Sequence, residues 1–197
     1  GNAHSRVVTK NDGTYTISDT AAALADASFN AGGGSDTAES VTAVIADNSQ
    51  DITGVTFDST VTNINLNDKT NVAMDAANAH GIVISGGSGN LGTYTITDTA
   101  AALADASFTK GVGSKAAASV TVLVGSNSQD LTAIDLDSDV TAINLNDKTN
   151  VVLDMGNIGA RTISTGTGGN GTYLVRDIAT NLTNITLAPA AASVTAV

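Results

Sequence analysis

Short apolar runs recur along this chain at nearly even spacing. Within each run, apolar residues alternate with polar ones, as in a strand that buries one face. Stretches rich in Asp, Ser, Asn, Thr and Gly separate the runs, and these residues favour turns. The clearest runs are residues 52–57, 61–66, 131–136 and 140–145. Shorter apolar pairs follow at residues 72–74, 151–153 and 82–84. The pattern predicts many short strands.

A longer repeat organises these runs. The stretch that starts at Gly13 returns at Gly92 and begins a third time at Gly171, since 92 − 13 = 171 − 92 = 79. Without gaps, 47 of the 79 positions are identical in the first two copies, which indicates an internal duplication. We divide the chain into the tail of a preceding repeat (1–12), repeat unit 1 (13–91), repeat unit 2 (92–170) and a partial third repeat (171–197).

Short strands of even spacing are compatible with two mainly β architectures. In a repeat β-solenoid, each coil has several strand-bearing sides, and one full repeat would hold about three coils. Tandem β-sandwich domains are the alternative, because about seven strands per repeat would also fit that fold. We favour the solenoid, because its coils suit the regular spacing and the chain starts and stops within a repeat.

Each repeat is expected to contain one short helix after its opening strand. In the second copy, the alanine-rich residues 100–104 favour helix. The carboxylate of Asp98 can accept from the free amides of the first turn, so Asp98 is the predicted N-cap. We expect the apolar side chains of this segment to be buried against the strands: Leu103 and Phe108, with Leu24 and Phe29 in the first copy.

The composition excludes several classes of protein. A net charge of −11 and a pI near 4.1 argue against a nucleic-acid partner and against an anionic membrane surface. No apolar run is long enough for a spanning helix, so membrane insertion is not expected. The chain has no cysteine, which excludes disulfides and cysteine-based metal sites.

The acidic residues are 18 Asp and a single Glu, Glu39. Aspartate is short, tolerates turns and supplies the hard oxygen ligands that Ca²⁺ prefers. The densest cluster is Asp135, Asp137 and Asp139, which would lie on one side of an extended segment. Further candidate calcium ligands at turn positions are Asp147 and Asp154, with Asp58, Asp68 and Asp75 in the first copy. The alternative is that these side chains bond their own backbone in solvated turns. No EF-hand loop follows Asp135.

No catalytic constellation is apparent, and we do not expect an enzyme. His4 and His80 fall in no zinc-ligand spacing, and His80 is replaced by Gly159 in the second copy. Neither a Gly-x-Ser-x-Gly elbow nor a phosphate-binding loop is present. Paired aspartates could act as acid and base on a sugar, but the chain has only six aromatic residues for stacking on one.

The chain is rich in Thr, Ala, Gly, Asn and Asp, and residues 94–103 read Tyr-x-Ile-x-Asp-Thr-Ala-Ala-x-Leu. In both respects it resembles the repeat regions of large bacterial extracellular surface proteins: S-layer proteins, adhesins and calcium-dependent repeat proteins secreted by type I systems. The resemblance implies a secreted structural module at the cell surface, with calcium as a stabilising ion. The glycine-rich nonapeptide of calcium-binding β-rolls occurs only as fragments, at residues 32–36 and 86–89.

Two further expectations concern partners. The chain starts late in a repeat with Val7 and Val8 and finishes in an apolar run at residues 194–197, with no polar cap at either end. Solenoid ends without caps expose apolar faces and strand edges, so we expect head-to-tail self-association into a filament. Surface glycans are a further expected partner.

The alternative to a structural surface module is a carbohydrate-binding or carbohydrate-cleaving β-solenoid.

Overall fold

The computed structural model describes residues 15–26, 29, 31, 38–104, 108–183, 187 and 191–196. The chain is mainly β, with 33% strand and 10% helix, and its parallel sheets are arranged as a β-solenoid of about 8 turns. The solenoid prediction is confirmed. The strand pairings given below are all parallel, whereas β-sandwiches are built from antiparallel sheets, so the alternative of tandem sandwiches is wrong.

The chain divides into two compact units, and the first comprises Gly1–Ile96 with Thr109–Ala118. One sheet of this unit has the strand order β1-β2-β3-β5, and β4 pairs with β6 in another. Its described strands are β1 (Thr16–Thr20), β2 (Ser40–Val44), β3 (Val61–Asn65), β4 (Val72–Met74), β5 (Val83–Ser85) and the first three residues of β6 (Tyr94–Asp98). Its helices are α1 (Ala21–Leu24) and α2 (Ala76–Ala79).

The second unit comprises Thr97–Phe108 with Ser119–Val197. Its described strands are β7 (Ser119–Leu123), β8 (Ala142–Asn144), β9 (Val151–Leu153), β10 (Thr162–Ser164), β11 (Tyr173–Asp177) and β12 (Ala191–Ala196). Its helices are α3 (Ala100–Leu103) and α4 (Met155–Ile158). The strands pair in the orders β7-β8-β10 and β9-β11-β12.

Each turn of the solenoid carries two strand positions. In the first unit, the chain passes from β3 in one sheet to β4 in the other and back to β5 in the first. Partners in parallel register lie one turn apart in the sequence: Val72 pairs with Tyr94, and Asn63 pairs with Val83. From β3 to β6, successive strands therefore alternate between the two sheets, whereas β1, β2 and β3 follow one another in the same sheet.

The sequence repeat does not correspond to a whole number of turns. Strand β1 pairs with β2, whereas β6, which is the same stretch in the next copy, pairs with β4 in the other sheet. If the repeat were a whole number of turns, β6 would lie in the sheet that contains β1. The repeat of about three coils therefore includes an additional half turn.

The core is formed by apolar side chains stacked in register from turn to turn. In the first unit, Ile64 is paired with Ala43 on one side and Ile84 on the other, and all three are fully buried. In the second unit, Val151 is paired with Tyr173, again without exposure. Burying such columns against one another stabilises the stack through removal of apolar surface from water.

Two of the apolar runs are turns rather than strands. Ile52 accepts from the amide of Val55 at 3.1 Å, and Leu131 accepts from the amide of Ile134 at 2.9 Å. Ile52 and Leu131 are nevertheless buried. An apolar residue can thus enter the core from a turn, which is why alternation alone overestimated the strands.

Within the described residues, each full repeat contains two single-turn helices, where the sequence predicted one. The predicted cap is also displaced by one residue: the hydroxyl of Thr99 accepts from the Ala102 amide at 3.3 Å and caps α3. Asp98 instead accepts from the backbone amide of Thr99. Leu103, Leu24 and Phe108 are buried as predicted, but Phe29 is only half-buried.

No helix in the described part of the chain is long and apolar enough to cross a lipid bilayer.

Candidate functional site: the aspartate turns

The cluster predicted as the main calcium site lies in an irregular segment. Residues 138–139 form a turn that the amide of Val140 closes onto the carbonyl of Asp137 at 3.0 Å. The extended conformation that would place Asp135, Asp137 and Asp139 on one side is therefore absent. Asp137 accepts from the amide of Asp139 at 2.7 Å, and Asp135 is exposed.

Asp58 is a turn residue bonded to its own neighbour. One of its carboxylate oxygens accepts from both the hydroxyl of Thr60, at 2.7 Å, and the amide of Thr60, at 2.9 Å. These hydrogen bonds favour the charged form, and they hold the pKa of Asp58 below its usual value. Asp58 therefore fits the alternative to calcium binding, in which the aspartates bond their own backbone in solvated turns.

Asp75 and Asp154 are equivalent in the two copies, and both are helix N-caps. Asp75 accepts from the amide of Asn78 at 2.9 Å, and Asp154 accepts from the amide of Asn157 at 2.7 Å. Asp75 also accepts at 2.6 Å from the amide of Gly54, in an earlier part of the coil. These aspartates therefore begin helix α2 and helix α4 and satisfy their free amides.

The two asparagines that follow these caps are the buried polar residues of the described core. The amide group of Asn78 donates to the carbonyl of Ile52 at 2.8 Å, across one turn of the coil. That of Asn157 donates to the carbonyl of Ile134 at 2.9 Å. Between residues 73–82 and 152–161, only the cap aspartate and this asparagine are identical. Neither asparagine was among the residues predicted from the sequence to be functional, although their selective retention between the copies indicates a constraint.

Asp68 holds a loop of the following turn. One carboxylate oxygen accepts from the amide of Leu91 at 2.9 Å, and the other accepts from the amide of Gly89 at 2.9 Å and the hydroxyl of Ser88 at 3.2 Å. The pKa of Asp68 is lowered, first by the Leu91 amide and then by the Gly89 amide. We call this arrangement, a carboxylate that binds the loop one turn later in the chain, the aspartate clasp.

Asp147 forms the same clasp in the second copy. It accepts from the amide of Gly168 at 2.9 Å and from the amide of Asn170 at 3.0 Å. Its pKa is lowered, most strongly by the Asn170 amide. Gly87 and Gly166 have positive φ angles of 98° and 104°, and a Cβ at either would collide with the backbone of the clasp residue. The loops can approach only because glycine stands there.

The clasp belongs to a larger set of contacts made by residues 65–72, which we call the corner block. The side-chain amide of Asn67 donates to Ile45 in the preceding turn at 3.3 Å. The amide of Thr70 donates at 2.9 Å to the side chain of Asn48, which also belongs to the preceding turn. The amide of Asn71 donates at 2.9 Å to the hydroxyl of Thr93 in the following turn. The corner block thus bonds to the turns on both sides of it.

The same contacts recur in the second corner block, residues 144–151. Asn146 donates to Val124 at 3.3 Å, and the amide of Thr149 donates to the side chain of Asn127 at 2.9 Å. Both blocks need left-handed backbone at equivalent positions, which Asn and Asp tolerate better than most residues. These positions are Asn67, Asp68 and Asn71, with Asn146, Asp147 and Asn150, at φ angles between 51° and 59°.

A cleft of about 310 Å³ lies beside helix α2 in the first unit. The residues that line it include Asp58 and Asp75 together with Phe57, Asn78 and Ile82. In the described residues, no three His, Asp or Glu side chains form a group that could hold a metal ion. Calcium at the aspartate turns therefore stays a prediction.

Comparisons with protein-family models, curated proteins and solved structures found no match to this chain.

Proposed function

We propose that this chain is a structural repeat module of a bacterial extracellular surface protein, such as an adhesin stalk, an S-layer segment or a matrix filament. One observation carries the proposal: the block that is unchanged between the two copies joins neighbouring turns. A catalytic or ligand-binding repeat would be expected to keep side chains that point into a shared cleft. This chain instead keeps Asn, Asp and Thr side chains that hold one coil to the next.

The mechanism that follows is mechanical. Parallel backbone ladders join successive turns, and the clasps and corner asparagines add side-chain bonds at the corners, where the ladder is interrupted. A hydrogen bond to a charged group contributes more to stability than a neutral one. Corners strengthened in this way suit a module whose function is to keep its shape under load.

A carbohydrate-binding or carbohydrate-cleaving solenoid is the second candidate, because Asp58 and Asp75 line one cleft. A general acid in such an enzyme needs a raised pKa, whereas that of Asp58 is lowered by Thr60. Both oxygens of Asp75 accept from backbone amides. All six aromatic residues lie in the described part of the chain, where three are buried and three half-buried. They offer no open platform for a sugar.

Head-to-tail self-association is part of the proposal. Among the described strands of its sheet, β12 is the outer one, and its side chains at residues 192–196 are exposed. The backbone edge of an outer strand offers donors and acceptors that can pair with a second chain. We expect filaments by electron microscopy of the purified protein. A strict monomer by light scattering at high concentration, with and without calcium, would contradict assembly.

The extracellular location has its own test. An antibody raised against the purified chain should label intact cells of the organism that makes it, without permeabilisation. Brief protease treatment of those cells should remove the signal. Labelling that requires permeabilised cells would exclude a surface module. It would leave the structural role of the solenoid unaffected.

A further inference from the structure

An arginine in the second copy of the repeat has every donor of its guanidinium group bonded to backbone carbonyl oxygens. This residue, Arg161, lies between helix α4 and strand β10 and is only partly exposed. A guanidinium carries five N–H donors in one plane, and all five are used. The acceptors are Val140, bonded to Nε at 3.1 Å; Gly156 and Asn157, bonded to Nη1 at 2.6 Å and 3.1 Å; and Leu136 and Asp137, each bonded to Nη2 at 3.0 Å.

The first copy has an open cleft at the same place. Its counterpart of Arg161 is Ile82, since 161 − 79 = 82. All five acceptor positions also have counterparts, and each of those residues lines the cleft beside helix α2. They are Phe57, Asp58, Val61, Ala77 and Asn78. The first copy thus presents the backbone positions that hold a guanidinium in the second copy, but Ile82 has no donor to offer them.

Electrostatics favour a cation in this cleft. Two acidic residues, Asp58 and Asp75, line it, and the whole chain carries a net charge of −11. Carbonyl oxygens are acceptors only, so the natural occupant is a donor-rich cation. The volume of about 310 Å³ lies at the lower end of the range for small-molecule sites.

We propose that the cleft between Gly54 and Ile82 is a binding site for a guanidinium group, supplied either by an arginine side chain of a partner protein or by a free guanidinium compound. A planar guanidinium can reach five separate acceptors at once, whereas an ammonium has only three donors around a single nitrogen. The site therefore selects guanidinium over ammonium. This binding function is independent of the proposed structural role.

The direct test is a titration of the ¹⁵N-labelled chain with methylguanidinium in the millimolar range, followed by amide chemical shifts. Shifts confined to the cleft, at residues 54–59 and 77–82, are expected, with methylammonium producing much smaller ones. Equal shifts from both cations, or none at the cleft, would overturn the proposal. Stronger binding of N-acetylarginine amide than of methylguanidinium would assign a protein arginine as the source, and the reverse order would assign a free compound.

A matched pair of substitutions exchanges the two copies. Ile82→Arg places an internal guanidinium in the first cleft, so it should abolish the methylguanidinium shifts there. Arg161→Ile opens the second cleft, so methylguanidinium should now shift residues around Leu136 and Asn157 and raise the melting temperature of this variant more than that of the unmodified chain. Undiminished shifts at the first cleft in folded Ile82→Arg would contradict the site. If that variant does not fold, the result for Arg161→Ile still decides, because absence of rescue would show that the clefts do not hold an external guanidinium.

Discussion

Individual asparagines and aspartates perform most of the specific bonding in this solenoid. Asn67, Asp68 and Asn71 adopt left-handed backbone and direct their polar groups to the neighbouring turns. Glutamate would not replace aspartate in these positions, because its longer side chain would need the loop to move away. The strong bias to Asp over Glu is therefore explained in part by corner geometry.

The aspartate clasp predicts a specific loss of stability for Asp68→Asn. The carboxylate accepts from two amides with different oxygens, and an asparagine has one acceptor and would turn its own donors toward the second amide. We expect a lower melting temperature, measured by circular dichroism. The control is Asp47→Asn, since Asp47 is exposed and surface substitutions change stability little. Equal melting temperatures in the two variants would show that the clasp does not contribute.

The lowered aspartate pKa values predict a loss of stability in acid. Hydrogen bonds from the protein hold the pKa of several carboxyls below the unfolded value of about 3.9. These are Asp51, Asp58, Asp68, Asp130, Asp147 and Asp177. Their stabilisation is present above the unfolded pKa and is lost as the pH falls through the folded values. Urea unfolding at neutral pH and at decreasing acid pH should show this fall. In the double variant Asp68→Asn, Asp147→Asn, the free energy of unfolding should fall less steeply with decreasing pH. The same fall as in the unmodified chain would show that these two carboxyls do not contribute to it.

Helices α1 and α3 each connect one strand to the next and place one leucine in the core. Four residues are too few for a helix to be stable alone, so packing must hold α1 and α3. Ala100 and Leu103 are both buried on α3. The hydroxyl of Thr99 accepts from a backbone amide of α3, and the side chain of Leu103 packs into the core. Both interactions hold this helix in place.

Leu103→Ala should lower the free energy of unfolding by about 2–5 kcal/mol, as for other buried leucines. Leu103 is fully buried, and its backbone carbonyl also accepts from the amide of Asp137 at 3.1 Å. Denaturant unfolding measures the change. Ala101→Ser, on the exposed side of the same turn, is the control, with an expected change within about 0.5 kcal/mol. A similarly small effect of Leu103→Ala would place α3 outside the core.

The elements that were predictable from the sequence are those set by local pattern. Alternation identified β3, β4 and β6, and the even spacing identified the solenoid. Contacts between turns were not predictable, because the acceptor of Asn78 is Ile52 and only the coil register brings the two together. For the same reason the aspartates were identified as polar turn residues, whereas the amides to which they bond were not.

At the scale of the whole molecule, the half turn left over by each repeat has a structural consequence. Equivalent strands such as β1 and β6 lie in different sheets, so the same stretch of sequence has different strand neighbours in the two copies. Strand β1 pairs with β2, whereas β6 pairs with β4.

Stabilisation by calcium is expected from the charge of the chain. With 19 acidic and 8 basic residues, carboxylates repel one another, and a cation that binds only the folded chain stabilises it by mass action. Asp135 is exposed, and Asp137 and Asp139 are half-exposed, so an ion can reach this turn, which would have to close around it. A site with a dissociation constant of about 1 mM, typical of extracellular modules, would add about 1.4 kcal/mol at about 10 mM calcium. The melting temperature should therefore rise from EDTA to calcium, beyond the rise in sodium chloride of equal ionic strength, and Asp135→Asn with Asp137→Asn should reduce that difference. The same melting temperature in EDTA and in calcium would exclude a stabilising calcium site.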